Sequence, residues 1–573
     1  MPPKELAALR LLLEHAGQIV SPLQLKHALW DDVHVSADSV PKCLSSLRAR
    51  LEPEDCIQTV YKRGYRFSAE VRRHGAAPAG ALPRLAILPF ATGYTVPEHL
   101  GPSIAEETIA RLSNARYPEL SVLARDSVFT LALRGQTAFE LGQTLKADLV
   151  LTGTLSALAA HFRLRAEMIR VEDGTQIWVE DILVDQNRIA GLESELASRL
   201  AYRLGAGVPC SRGGSDRSSP LAWNTGGLSI SAAAAHEVED ENGTRQREAY
   251  EIFLRGRHEW QTLERHRMQD GLQHLSRATE LDPSLIAAKV ELVHLCVTQA
   301  FYGFMSPMVA AGLVRRTADS IPDLLHQAEA ILPALGWAHF NVDHNLSAAL
   351  WAFAHSAHLP HSAWNTRERV MLALSRHRFT EAAELNQAAL REDPFSPWLH
   401  ARKAWIFHLS GHAAESLVQI HHGLDLFPDH EGIALYGSMI LAFNGDAARG
   451  VQIAEELTRR QPYIDLVTAV HAYALACVGR TQEARTILER LQWLSRERFV
   501  IKSFNPAVYV ALGDLDAALA ELRAAAADRC PWFFQMLADP RLKPLHGRPE
   551  FDQMRAILAR MEAEAAHELQ LEA

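Results

Sequence analysis

The side chains best suited to chemistry in this sequence are cations and small hydrogen-bond donors between residues 36 and 73. That stretch holds eight Lys and Arg residues against five acids, a local balance of 8 − 5 = +3, whereas the whole chain has a net charge of −10. Cations neutralise phosphates, and small donors such as serine reach base edges in a groove. The cations are Lys42, Arg48, Arg50, Lys62, Arg63, Arg66, Arg72 and Arg73. The pattern predicts a nucleic-acid interface confined to one short stretch.

An amphipathic helix and a hairpin must position these side chains. Apolar residues recur at helical spacing and predict one buried stripe, formed by Val40, Leu44, Leu47 and Leu51. The helix is expected to begin near Asp38 or Ser39, which places Pro41 in the first turn, where proline is tolerated. Small or donor-bearing residues then occupy the opposite face, namely Lys42, Cys43, Ser45, Ser46, Ala49 and Arg50.

Two short β-branched and aromatic runs follow the helix. Residues 57–61 and 65–69 have the composition of paired strands, and Lys62, Arg63 and Gly64 supply the turn between them. Gly64 can adopt the positive φ that such a turn requires. The hairpin therefore carries its cations at or near its tip.

Helix, linker and hairpin together closely resemble the winged-helix effector domain of OmpR/PhoB-type regulators, over roughly residues 3–71. Within that class the stretch is most similar to one-component activators of the CadC/ToxR and HilA types. The resemblance implies a third helix in the major groove and a wing on the adjacent groove or backbone. By position, the residues facing bases would be Lys42, Cys43, Ser45 and Ser46. Those contacting phosphates or the groove would be Arg48, Arg50, Lys62, Arg63 and Arg66.

Family members carry a small antiparallel sheet before the first helix, whereas this sequence begins almost on that helix, which we expect over residues 3–16. Either the winged helix-turn-helix lacks its N-terminal sheet or translation begins upstream of Met1, and we favour the upstream start. The alternative use of a winged helix, in which it contacts protein and its cations are merely solvated, stays open.

Residues 83–205 alternate between strand and helix patterns and predict an α/β domain with a mixed sheet. Strands are expected at 84–90, 120–128 and 147–157, followed by a hairpin that turns at residues 172–174. The segment resembles the TolB-N-terminal-like module, which implies assembly or sensing and not catalysis. Arg125 and Trp178 could serve a ligand site, although half-buried packing is the favoured interpretation of Trp178. Residues 206–243 are rich in Gly, Ser and Ala and predict a flexible linker.

The C-terminal half is periodic. Prolines recur every 34 residues (Pro360, Pro394, Pro428, Pro462), and glycines keep the same period (Gly411, Gly445, Gly479, Gly513). Thirty-four is the tetratricopeptide period, with glycine inside each helical pair and proline after it. We therefore expect an all-α solenoid of about seven to nine pairs over residues 247–560 and a charged tail over 561–573. Trp398, Trp405 and Phe407 could line a concave peptide groove, but helix-packing aromatics are the favoured alternative.

Several function classes find no support in the sequence. The six cysteines form no CxxC pair, which suits a reducing cytosol, and no signal peptide is visible. Residues 292–314 lack charge, but polar residues within them favour a buried repeat helix over a membrane span. Clustered histidines such as His355 and His421 lack metal-ligand spacing, and no phosphate loop or nucleophile motif occurs. We therefore expect a cytoplasmic non-enzyme without metal or cofactor.

Two functional hypotheses remain. In the first, the winged-helix domain of residues 1–73 reads double-stranded promoter DNA at repeated half-sites. The α/β and repeat domains would then sense a ligand, form homo-oligomers or contact a protein partner through the solenoid, with RNA polymerase as one candidate. In the second, the chain is a cytosolic repeat adaptor whose winged helix mediates protein contacts. DNA binding weakens steeply with salt, which distinguishes the two.

Overall fold

The structure is a computed structural model of the 573-residue chain. It describes residues 8–9, 11–12, 19–30, 39–48, 56–60, 63–68, 83–114, 120–132, 135–185, 189, 191–204, 241–261, 264–321, 329–357 and 363–572. The chain divides into two compact units, Met1–Ala81 and Leu82–Ala573. The predicted linker at 206–243 lies largely outside the described residues.

The first unit contains two described helices and a small antiparallel sheet. Its elements are β1 (Ile19–Val20), α1 (Pro22–Trp30), α2 (Ser39–Arg48), β2 (Ile57–Val60) and β3 (Gly64–Phe67). The strand order is β1-β3-β2, so β3 is central. Of the predicted first helix, residues 8–9 and 11–12 are described and are helical. The amide of Gln24 donates to Ser21 Oγ, which caps α1 ahead of the proline at its first position.

The second unit begins with a mixed sheet. Its strands are β4 (Arg84–Ile87), β5 (Ala91–Thr92), β6 (Ser121–Val122), β7 (Leu149–Leu158), β8 (His161–Arg170) and β9 (Gln176–Asp185). Its helices are α3 (Leu100–Asn114), α4 (Arg125–Ala132), α5 (Ala138–Leu145) and α6 (Leu192–Arg203). The order is β6-β4-β7-β8-β9, parallel from β6 to β7 and antiparallel from β7 to β9. The expected mixed-sheet fold is therefore confirmed.

The strand predicted over residues 120–128 is wrong beyond Val122. Residues from Arg125 onward form α4, because Val128 and Leu131 are buried at helical spacing against the neighbouring helix and sheet. The β-branched residues had suggested a longer strand, and tertiary packing overrides that propensity. Trp178 is half-buried on β9 against the core, which matches the packing interpretation.

Paired helices make up the rest of the second unit. They are α7 (Glu241–Trp260), α8 (Arg265–Leu281), α9 (Ile286–Tyr302), α10 (Pro307–Asp319), α11 (Leu332–Asn341), α12 (Leu346–His355), α13 (Ala363–Ser375), α14 (Phe379–Glu392), α15 (Pro397–Leu409), α16 (Ala413–Leu426), α17 (Glu431–Phe443), α18 (Ala447–Arg460), α19 (Asp465–Cys477), α20 (Thr481–Leu494), α21 (Asn505–Ala511), α22 (Leu515–Ala527), α23 (Phe533–Met536) and α24 (Pro549–Glu572). Gly411 lies in the turn inside the pair α15–α16 with φ +82°, and Pro428 follows α16. The solenoid prediction is confirmed, whereas Pro360 lies outside the described residues.

A C-terminal segment, residues 530–545, packs against α9, α13 and α15. Trp532 Nε1 donates to the carbonyl of Phe301 on α9, at 3.0 Å. Gln535 accepts from Trp405 Nε1 on α15 and donates to Ser375 Oγ on α13. Trp405 is therefore a packing residue and not part of an open peptide groove.

The α/β domain packs directly on the first helices of the solenoid. Arg257 on α7 is buried, and it donates to Glu107 Oε2 at 3.0 Å and to the carbonyl of Ser103 at 3.2 Å. Arg125, which the sequence had offered as a ligand residue, donates instead to Gln261 at 2.6 Å. These polar contacts join the two domains within one compact unit.

A second junction lies farther along the solenoid. Ser127 on α4 donates to the buried carboxyl of Asp393, and its Oγ accepts from the amide of Phe395 at 3.0 Å. Burial and then the charge of Asp126 raise the pKa of Asp393 to about 7. The α/β domain therefore contacts the solenoid at two separated places.

The uncharged stretch 292–314 is divided between α9 and α10. None of the helices in the described ranges is both long and apolar enough to cross a membrane.

Candidate nucleic-acid interface

Helix α2 is held in the first unit by its apolar stripe. Val40, Leu44 and Leu47 are buried, as predicted, while Leu51 lies outside the described residues. The exposed side chains on this helix include Lys42, Ser45 and Ser46, and Cys43 is half-buried. Since burial of the stripe fixes the rotation of the helix, Lys42, Ser45 and Ser46 share the outward face. Cys43, which was expected on that face, lies at its edge and packs against the core. One cation and two hydroxyls on that face suit phosphate and base-edge contacts.

Hairpin β2–β3 forms a short wing with Arg63 at its turn. The amide of Arg63 donates to the carbonyl of Val60 at 2.9 Å, and the Arg63 side chain is exposed. Gly64 has φ +141°, and a Cβ there would lie 2.1 Å from the Val20 carbonyl oxygen. Glycine is required at this position because β1 passes so close. Lys62 lies outside the described residues.

Arg48 joins α2 to the wing. Its Nε donates to the carbonyl of Ile57 at 2.9 Å, and its Nη2 donates to Thr59 Oγ1 at 2.8 Å. The guanidinium carbon lies 5.9 Å from the centre of the Tyr65 ring. Arg48 is predicted to contact phosphate or groove, and in the structure its contacts with β2 also connect α2 to the wing. Arg50 lies outside the described residues.

Arg66 lies on the outer face of the wing. Phe67 is buried in the core of the unit, so its neighbour Arg66 points to the opposite side of the strand. Arg66 Nη2 donates to Gln58 Oε1 at 2.9 Å, across the register pair that the two residues form. Gln58 and Thr59 are exposed polar residues that the sequence analysis did not select. Their polar side chains, which follow the apolar Ile57 directly in the predicted strand, would have been the signal.

The polar groups of this interface are cations and neutral hydrogen-bonding groups. Across the described part of the chain, no cluster of three or more His, Cys, Asp or Glu side chains could hold a metal ion. The histidines considered for metal have other neighbours: His355 Nδ1 lies 2.9 Å from the carbonyl of Trp351, and His421 Nδ1 lies 3.3 Å from Arg449 Nη1.

Comparison with known families gives two matches that cover successive parts of the chain. Residues 1–67 match the family described as transcriptional regulatory protein, C terminal. Residues 81–199 match the HilA/YgeH-like transcriptional regulator, second domain. The first match covers α2 and the wing, and the second covers the mixed-sheet domain.

Individual relatives match different shares of the chain. The transcriptional regulator HilA of Salmonella typhimurium is 27% identical over 342 residues, which are 59% of this chain and 56% of that protein. The chain thus matches little more than half the length of this curated relative. Among solved structures, yeast Tom70 is similar over 80% of this chain and 84% of that chain (11% identity, TM-score 0.31). TolB from Acinetobacter baumannii is similar over 22% of this chain and 29% of the TolB chain (19% identity, TM-score 0.17). This chain carries an OmpR/PhoB-type winged-helix domain followed by a HilA-like regulator domain.

Proposed function

We propose that the chain is a sequence-specific DNA-binding transcriptional regulator that reads double-stranded DNA with α2 and the wing. The observation that carries the proposal is the outward face of α2, where Lys42, Ser45 and Ser46 are exposed while the apolar stripe anchors the helix. Arg63 is exposed on the wing that Arg48 ties to the same helix. A helix of this width fits a major groove, and cationic side chains beside it contact the phosphates.

The charge distribution favours binding through this unit alone. Residues 36–73 have a balance of +3 in a chain of −10, so the remaining residues have a balance of −10 − 3 = −13. Acidic surfaces repel a duplex, and long-range repulsion falls off over roughly a Debye length of about 8–10 Å at physiological salt. The second unit therefore disfavours non-specific attachment, and the winged helix supplies the attraction.

In this proposal some side chains of the interface contact DNA, and Arg48 holds the helix and the wing in place. Lys42, Ser45 and Ser46 face the bases in this proposal, with Cys43 at the edge of the same face, and Arg63 and Arg66 contact the adjacent groove or backbone. Lys62 and Arg50 contribute to the same phosphate contacts. Arg48 sets the angle between helix and wing through its contacts with Ile57 and Thr59.

The second unit supplies regulation in this proposal. Residues 530–545 pack against α9, α13 and α15, so a protein partner such as RNA polymerase, or a second copy of the chain, would bind helix surfaces that this segment leaves uncovered. Binding of the regulator at repeated half-sites would follow from such self-association.

Selection of bound duplexes from a random-sequence library, using the full chain, tests the proposal. Affinity for the selected duplex is then measured by fluorescence anisotropy between about 50 and 200 mM salt. We expect Lys42→Ala to weaken binding, and Arg63→Ala to weaken it and reduce the salt slope by about one. Arg459→Ala is the control, because it removes the same charge from an exposed site on the solenoid. No enriched sequence, or equal losses in all three variants, would refute sequence reading by this surface and favour the adaptor.

A further inference from the structure

A small cavity lies where several solenoid helices meet the C-terminal segment. It has a volume of about 40 Å³ and is lined by residues that include Thr298, Trp337, Arg367, Arg402, Tyr436 and Trp532. These residues come from α9, α11, α13, α15, α17 and the C-terminal segment. The cavity is thus bounded by helices from several successive repeats.

Arg402 brings an unpaired charge to this cavity. Three arginines in the described ranges are buried to 5% exposure or less: Arg257, Arg402 and Arg541. Arg257 lies 3.0 Å from Glu107, and Arg541 lies 2.6 Å from Asp539. Within the described part of the chain, Arg402 has no such carboxylate, and its buried Nη1 has no hydrogen-bond acceptor. The charge of Asp126 acts on Arg402 only without direct contact, and a buried guanidinium without a directly paired carboxylate is destabilising, so an anion is the expected partner.

Two neutral donors in the same lining also lack acceptors. Thr298 and Trp337 are each 3% exposed, and neither Thr298 Oγ1 nor Trp337 Nε1 has a hydrogen-bond partner in the described residues. Other buried indoles of this chain are satisfied: Trp260 donates to Glu291, Trp405 to Gln535 and Trp532 to the carbonyl of Phe301. Buried donors normally find acceptors. Three unsatisfied groups around one cavity indicate that an acceptor-rich molecule belongs there.

The electrostatics of the cavity favour a negative ligand. Burial, followed by repulsion from Arg367, lowers the pKa of Arg402 to about 9, so Arg402 stays charged at neutral pH. Arg367 lies with its guanidinium carbon 5.7 Å from the centre of the Trp398 ring and adds a second cation to the lining. Two cations near one small cavity of low dielectric interact strongly with an anion that enters it.

We propose that this cavity binds the carboxylate of a short-chain monocarboxylic acid. A carboxylate only accepts hydrogen bonds, and it matches the fork of a guanidinium. Phe301, Leu435 and Leu466 supply apolar walls for a short alkyl group. A cavity of about 40 Å³ has room for roughly three water molecules, which limits the acid to two or three carbons. The site extends the proposed function by giving the regulator a class of effector.

Binding is measured on the full chain without DNA, so that failure of the effector site stays separate from failure of DNA reading. Acetate and propionate are titrated at fixed pH and ionic strength, with chloride and nitrate as separate arms. The readouts are the change in tryptophan fluorescence, since Trp337, Trp398 and Trp532 line the cavity, and the increase in Tm. We expect saturable shifts with the carboxylates that the inorganic anions do not reproduce.

Two variants with a matched control test the assignment of the donors. Arg402→Met removes the charge at similar volume and is expected to weaken carboxylate binding about tenfold or more. Its Tm without ligand should stay equal or rise, because an unpaired buried charge is removed. Thr298→Val removes one donor isosterically and should weaken binding less. Lys403→Met, the neighbouring half-buried cation on α15, should leave binding unchanged.

Three results would overturn the proposal. The first is the absence of any saturable shift with either acid, which would mean that water alone satisfies the three donors. The second is an equal response to chloride or nitrate, which would mean a general counter-ion site. The third is unchanged carboxylate binding by Arg402→Met.

Discussion

Arg257 is expected to determine whether the α/β domain stays attached to the solenoid. Its side chain is 6% exposed and lies 3.0 Å from Glu107, while the carbonyl of Ser103 accepts from its second nitrogen. Burial alone would lower the pKa of Arg257, but the charges of Glu106 and Glu107 raise it above its usual value. Arg257→Met removes the buried cation and leaves Glu106 and Glu107 without its charge. Loss of one member of a buried pair costs about 3–5 kcal/mol.

Arg255 on the same helix provides the matched control. It lies 3.0 Å from Glu259, but its side chain is 56% exposed. Because solvent screens such a pair, Arg255→Met should cost about 0.2–1 kcal/mol. Both variants remove one cation from α7 and replace it with the same residue. The comparison therefore isolates the contribution of burial at the domain junction.

Calorimetry and hydrogen exchange on the full chain measure the difference. Arg257→Met should lower Tm by several degrees, given about 2–4 °C per kcal/mol for domains of 150–250 residues and a smaller shift for larger units. Amides of α3 and α7 should exchange faster in this variant than in Arg255→Met. In a double-mutant cycle, Arg257→Met with Glu107→Gln should cost less than the sum of the single changes. Equal Tm shifts for the two arginine variants, with unchanged exchange in α3, would refute the described junction.

Three further predictions concern the wing and the second domain junction. Gly64→Ala should destabilise the first unit by about 1–3 kcal/mol and weaken DNA binding, because the new Cβ meets the Val20 carbonyl and φ is +141°. Hydrogen exchange of the β3 amides measures the loss of stability, and fluorescence anisotropy measures the loss of DNA affinity. Asp393→Asn should raise Tm at pH 8 by more than at pH 5. The folded chain keeps the Asp393 proton up to about pH 7, so the stability that protonation contributes is present at low pH and lost as pH rises through about 7. Calorimetry across this range measures it. Arg48→Ala should weaken DNA binding and also accelerate amide exchange at Thr59, because Arg48 holds the wing.

Each of these predictions has a control in the same chain. Gly135→Ala tests backbone strain without a clash, since φ is +69° and no atom lies within 4 Å of the added Cβ. Asp425→Asn changes an exposed carboxyl and should shift Tm equally at both pH values. Arg63→Ala should weaken DNA binding without accelerating exchange in the wing. A wing that exchanges at the wild-type rate in Arg48→Ala would contradict the positioning role.

The recognition helix and the repeats were predictable because their apolar residues are periodic. Val40, Leu44 and Leu47 define one face of a short helix whatever surrounds it, and the opposite face follows. In the solenoid, Gly411 and Pro428 mark the turn and the end of one helical pair, and each pair contacts mainly its neighbours. Local pattern and final structure therefore agree in these regions.

The sequence did not reveal the contacts that depend on distant parts of the chain. Trp532 bonds to the carbonyl of Phe301, 231 residues away, and no periodicity in residues 530–537 marks this insertion. Arg402 lies on a helix buried on nearly every side, so its burial depends on neighbouring repeats and on the C-terminal segment. The contacts of Arg48 with Ile57 and Thr59 were not apparent in the sequence either, because these residues become its neighbours only after the hairpin packs.

Genome-wide occupancy by crosslinking and immunoprecipitation, in the cells from which the gene comes, tests sequence-specific DNA reading most directly. The wild-type chain is compared with a Lys42→Ala, Arg63→Ala double variant and with Arg459→Ala at equal abundance. We predict sharp wild-type peaks that share a repeated motif, their loss in the double variant and their retention in Arg459→Ala. The absence of wild-type peaks, or peaks that persist in the double variant, would contradict DNA recognition by α2 and the wing.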